Sequence, residues 1–159
     1  MNSSWQAAPW ADALYACDWQ WWERYHGIDF AGERWTCNDK AAKRFGVNWV
    51  AYQHARGLNR QPGVINSGLN SGFQAINLAW HFGARRIVLL GYDFQRTAGR
   101  SHWHGDHPAG FANGGNYREW AHHMADLARD LAADDVEVIN ASRQTALACF
   151  PRRPLEGIL

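Results

Sequence analysis

Residues 101–108 read Ser-His-Trp-His-Gly-Asp-His-Pro, bringing His102, His104, Asp106 and His107 into one short stretch. Imidazole titrates near neutrality, so this loop can supply a general base, and three imidazoles with a carboxylate can also bind zinc. As a metal signature the spacing is weak, because neither a Cys pair nor a helical His-Glu-x-x-His accompanies it. A His-rich loop with only a structural role is the third reading. Further on, Glu119 and His122 are three residues apart and can share a helix face, where a solvated surface is the simpler expectation.

Upstream, residues 66–94 read NSGLNSGFQAINLAWHFGARRIVLLGYDF. The unpaired N–H groups and the dipole at the start of a helix favour an anion, and a Ser hydroxyl beside a Gly backbone can approach phosphate closely. Asn66, Ser67, Asn70, Ser71 and Gly72 can therefore hold a phosphate or a nucleotide ribose. The alternative is a pair of tight turns ending in an ordinary helix cap. The stretch closes on Gly91-Tyr92-Asp93-Phe94. Ligands of open α/β sheets bind beyond the carboxyl ends of strands, which places Tyr92 and Asp93 well. Asp93 can orient a base, bind a sugar hydroxyl, or simply cap the following loop.

These residues need a scaffold of strands and helices, and the patterning supplies one. ALYAC (13–17), RWTC (34–37) and VNWVAY (47–52) read as short strands. DWQWWERYH (18–26) reads as a helix with Asp18 at its N-cap, and DKAAKRF as a helical turn. Residues 53–66, polar and broken by Gly and Pro, read as an exposed loop. Ser71 and Gly72 sit where the next helix should be capped; Phe73, Ile76, Asn77 and Trp80 follow at helical spacing, and Gly83 ends the helix. RRIVLLGYDF has the continuous apolar run of a strand covered on both faces, as in a parallel sheet. Residues 96–115 form a long loop. A helix over about 116–133 places Trp120, Met124, Leu127 and Leu131 on one stripe, with Tyr117, Ala121 and Ala128 beside it. VEVIN (136–140) is a last buried strand. This alternation predicts an open, mostly parallel α/β sheet flanked by helices, with residues 1–159 as one domain.

Composition narrows the function further. The 159 residues carry 16 Lys and Arg against 15 Asp and Glu, with no basic run, which argues against nucleic acid as a partner. No apolar stretch approaches the roughly 20 residues of a membrane span. The N-terminus lacks the basic and apolar regions of a signal peptide, so a cytoplasmic protein is expected. Cys17, Cys37 and Cys149 are odd in number and widely spaced, and read as reduced thiols in or near the core. Ten Trp residues include the crowded Trp19, Trp21 and Trp22, suited to filling core or lining a concave pocket.

Taken together, Ser71-Gly72, Gly83, Gly91-Tyr92-Asp93-Phe94 and Ser101-His102 through His107 resemble the core of the bacterial sialyltransferases of glycosyltransferase family 42, and of phage and prophage proteins sharing that core. From Ser71 to Phe94 the pattern needs no gap. VEVINASRQTALACF resembles the family's last strand and following segment, and APWADALYACDWQWW fits the phage group. The resemblance implies a Rossmann-like fold in a bacterial host cell and a nucleotide sugar of the CMP-sugar type as donor. It also implies a glycan acceptor and metal-independent transfer with no further cofactor. It would put the Ser71 turn, with Asn70 and Gly72, on the donor phosphate. A loop histidine would be the base that deprotonates the acceptor: His107 matches the family's position best, and His104 stays open. Tyr92 and Tyr117 are weaker candidates for phosphate contacts.

The chain departs from the family at its start. The Gly-rich Gly-x-Gly-Pro-Ser loop, part of the first β-loop-α unit, has no counterpart; Met1 falls where the second strand's polar end would lie, with Asn2 at the family's Asn position. A shortened relative, a misplaced start and a site completed by another subunit would each explain this. The open sheet edge makes self-association an expectation. Two alternatives accompany the enzyme reading: a nucleotide- or sugar-binding protein without turnover, and a pterin-pyrophosphokinase-like enzyme. The latter would call for magnesium and an Asp cluster, of which only Asp93 and Asp106 are near.

Overall fold

Among the described residues, strands of two to four residues alternate with four α-helices, and every strand pairing is parallel. The computed structural model of the chain describes residues 2–97, 99 and 115–158. They divide into two units: one of residues up to Ala55 plus Asn59–His81, the other of Arg56–Leu58 plus the chain from Phe82 onward.

The first unit opens with a 3-10 helix, Asn2–Gln6, and continues with β1 (Ala13–Tyr15), α1 (Trp19–Arg24), β2 (Glu33–Thr36), α2 (Asp39–Phe45), β3 (Asn48–Trp49), β4 (Ala51–Gln53), β5 (Val64–Asn66) and α3 (Ser71–His81). β2 lies between β1 and β3, while β4 pairs with β5. Val50, between β3 and β4, donates to the Thr36 carbonyl at 3.0 Å, and Ala51 donates to Gly63 at 3.0 Å. One extended segment thus passes from pairing with β2 to pairing with β5. Tyr15, Cys37, Val50, Ile65 and Leu78 pack into a buried cluster, joined by Cys17, Trp35 and Ala75. Strand residues of one pleat face therefore meet α3. Trp21 and Trp22 fill core as the crowded tryptophans suggest, with rings 5.0 Å apart edge to face.

The second unit holds β6 (Arg86–Leu89), α4 (Tyr117–Ala133), β7 (Glu137–Asn140) and a 3-10 helix, Leu155–Gly157. β6 and β7 pair in register from Arg86 opposite Glu137 to Leu89 opposite Asn140. On α4, Met124, Leu127 and Leu131 are fully buried, as its apolar stripe requires, and His123 is buried beside them. Asn116 caps this helix, its side chain accepting from the Glu119 N–H at 3.2 Å.

Four local expectations are corrected. The loop expected over 53–66 ends in β5, three buried residues, too short for periodicity to register and masked by the preceding Pro62-Gly63. Asp18 stands at the N-cap of α1 without a side-chain capping bond. Ser71 and Gly72 are the first residues of α3 rather than its cap: Asn70 accepts from the Phe73 N–H at 2.8 Å. β6 is not covered on both faces, since Arg86 is exposed, Ile87 and Val88 are half-buried and Leu90 is 59% exposed. The chain bends at Gly91, whose φ is 73°, so the apolar run outlasts the strand.

Candidate functional site

Parallel strands present their carboxyl ends along one edge, and in the first unit that edge gathers the polar chemistry. β1 runs out into Ala16, Cys17 and Asp18; β2 into Cys37 and Asn38; β5 into Ser67 and the turn that opens α3. The β1–β2 ladder ends at Ala16, whose N–H donates to Trp35 at 3.1 Å while its carbonyl accepts from the Trp22 indole at 3.0 Å.

The turn before α3 is built in detail. Gly68 and Leu69 both adopt left-handed backbone, with φ of 48° and 60°. A side chain at Gly68 would run into the Phe73 ring, which lies directly against it. The Asn70 amide is committed at both ends: it accepts from Phe73 and donates to the Gly68 carbonyl at 3.1 Å. Ser71 thereby becomes the first residue of an 11-residue helix, where the dipole favours negative charge. Its hydroxyl lies 3.0 Å from the Cys17 thiol, so residues 54 apart in sequence meet here. One turn on, Gln74 accepts from the Tyr15 hydroxyl at 2.9 Å, and Tyr15 packs in one buried cluster with Cys37.

Burial pushes the Tyr15 phenol and both thiols up from their ordinary values. Cys17 and Cys37 are thus predominantly protonated at neutral pH, as hydrogen-bonding thiols. The first Asn-Ser-Gly is structural instead. Asn66 accepts from the Asn59 side chain at 3.1 Å, and fully buried Asn77 accepts from the N–H of Asn59 at 3.1 Å and of Asn66 at 3.4 Å. Ser67 donates its N–H to Gln53 at 2.8 Å.

Beside the same strand ends, Trp19, Asp39, Lys40, Lys43 and Arg44 line an open cavity of about 430 Å³. The Lys40 ammonium lies 3.7 Å from the Trp19 ring centroid, and Trp19 also stacks with Phe45 at 5.7 Å. Three cations against one carboxylate suit an anionic ligand.

In the second unit Tyr92 and Asp93 follow β6, as the carboxyl-end argument requires. Their bonds brace the loop. The Asp93 carboxylate accepts from the Thr97 hydroxyl at 3.1 Å, and its carbonyl accepts from the Ala146 N–H at 2.8 Å. The Tyr92 N–H donates to the Ser142 hydroxyl at 2.7 Å, while its carbonyl accepts from Thr145 at 2.7 Å and Asn140 at 3.4 Å. Burial pushes the Tyr92 phenol up, which keeps it a neutral donor. Tyr117 packs edge to face against Trp120 at 5.7 Å. Arg56, Asn116, Arg118, Glu119 and His122 line an open cavity of about 410 Å³, with His122 exposed. The Glu119 carboxylate accepts from the Asn116 amide at 2.9 Å.

No family model, curated protein or solved structure matches the chain. Among the residues picked from sequence, Asn70, Ser71 and Gly72 come together at the start of α3, Tyr92 and Asp93 at the end of β6, and Tyr117 at the start of α4. Asn2 begins the first 3-10 helix. His102, His104, Asp106 and His107 lie outside the described residues. Sequence reasoning missed Tyr15, Cys17, Cys37 and Gln74; applying the carboxyl-end rule to β1 and β2, as it was to β6, would have singled out the two cysteines. Among the described residues no group of three or more His, Cys, Asp or Glu is arranged to hold a metal ion, and no helix is long and apolar enough to cross a membrane.

Proposed function

We propose that the chain binds a nucleotide through its phosphate at the Asn70-Ser71-Gly72 turn, as a protein of the CMP-sugar-dependent glycosyltransferase type on a Rossmann-like fold. The observation that carries this reading is the meeting of Ser71 with Cys17: it puts a hydroxyl and the amino end of a long helix at the carboxyl edge of parallel strands. Anions collect at such edges because helix N–H groups and the dipole point at them. A thiol–hydroxyl contact is weak, so Ser71 can exchange it for a phosphate oxygen at little cost.

In this reading a loop histidine, His107 with His104 as the alternative, takes the proton of a glycan hydroxyl. That oxygen then attacks the anomeric carbon as the nucleotide phosphate leaves. Binding without turnover is the second reading, favoured by the use of Asp93 as a loop brace.

Thermal shift against a panel of nucleotides and nucleotide sugars tests the proposal. CMP or CDP should raise Tm, and Ser71→Ala should shrink the rise; no shift with any nucleotide refutes both readings. His107→Ala should abolish donor hydrolysis and leave the CMP shift intact, whereas unchanged hydrolysis removes His107 from its role.

A further inference from the structure

The register of β1 on β2 has a chemical consequence at its carboxyl end. Ala13 lies opposite Glu33, Leu14 opposite Arg34 and Tyr15 opposite Trp35. Continued two residues past the ladder, the same register would set Cys17 opposite Cys37, and the two cysteines meet in one cluster. Neighbouring strands are about 4.8 Å apart, inside the Cα separation that a disulfide spans, about 4.4–6.8 Å. Both cysteines belong to the pleat face of Tyr15 and Trp35, and both join the same cluster beneath α3. The ladder stops at Ala16, so the two can adjust without breaking strand pairing. Both are thiols in this structure. Cys17 meets Ser71 of α3 directly, and Cys37 packs with Tyr15 and with Leu78 of α3.

We propose that Cys17 and Cys37 form a redox-active dithiol that closes to a disulfide across β1 and β2 and changes the group that Ser71 meets at the start of α3. The oxidant is a low-molecular-weight disulfide. The half-buried Cys17, as thiolate, attacks one of its sulfurs, forming a mixed disulfide and expelling one thiolate. Cys37, as thiolate, then attacks the Cys17 sulfur, forming the internal bond and expelling the second. Two S–H bonds are lost, one S–S bond forms, and the oxidant leaves as two thiols carrying both electrons and both protons. The sulfur that Ser71 now meets is then bonded to Cys37 and carries no hydrogen. Because burial disfavours the thiolates, closure is slow at neutral pH and accelerates in mildly alkaline buffer.

The experiment is oxidation of the Cys149→Ser chain with oxidised glutathione, followed by trypsin digestion without reductant and mass spectrometry. Trypsin cleaves after Arg24 and Arg34, separating the two cysteines onto different peptides unless a disulfide joins them. The expected result is a Cys17–Cys37 linked pair lighter by two hydrogens. Cys37→Ser should instead stop at the mixed disulfide on Cys17. A glutathione adduct on Cys17 beside a free Cys37 thiol, or no reaction after prolonged alkaline incubation, overturns the proposal. These readouts do not involve nucleotide, so they stand or fall apart from the phosphate reading.

Discussion

At residue scale the turn before α3 depends on which position lacks a side chain. Gly68 and Leu69 share left-handed backbone, yet only Gly68 lies against the Phe73 ring. Gly68→Ala is expected to lower unfolding stability by at least about 1 kcal/mol from backbone strain alone, with ring displacement adding to it. Leu69→Gly should be near neutral in the same urea melts, because relief of strain offsets the entropy of the more flexible unfolded chain. Asn77 poses a different case. Its amide oxygen serves two backbone N–H groups from a fully buried position, and Asn77→Ala leaves them without that acceptor, at an expected cost of about 1–3 kcal/mol. Sequence patterning placed Asn77 on the helical stripe among apolar residues; which N–H groups it serves depends on a loop eighteen residues away, and no local pattern encodes that.

At the scale of elements, the long periodic segments were legible and the short ones were not. The stripe of α4 follows from its spacing, and Leu131, fully buried there, should cost about 2–5 kcal/mol on substitution by Ala in a denaturant melt. α3 was equally plain from Phe73 to Trp80. Its first turn was misread because Ser and Asn are both good caps, and only the geometry of the turn decides that Asn70 takes the role. β5 escaped notice since three residues cannot display a period of two. The candidate site divides in the same way. Ser71 follows from local turn chemistry, whereas its partner Cys17 is set by strand order. Strand order is a non-local property: β1 reaches Ser71 because parallel strands end at one edge.

For the molecule as a whole, the described residues form an α/β chain with small parallel sheets, and its titration follows from burial. Cys149 is pushed up to about 11 from the ordinary 9.0, and Cys17, Cys37 and Tyr15 are raised as well. A raised folded-state value means that the folded chain holds these protons more tightly than the unfolded one. The resulting stability is complete below pH 9.0 and declines as pH rises from there through 11. Urea midpoints across that window should fall with pH, and a flat profile would contradict the burial of these groups.

Comparing CMP with cytidine by isothermal titration isolates the contribution of the phosphate. If the Ser71 turn holds the phosphate, CMP should bind about tenfold tighter than cytidine or better, roughly 1.4 kcal/mol, and Ser71→Ala should narrow that gap. Equal affinity for the two, or binding of neither, would contradict it.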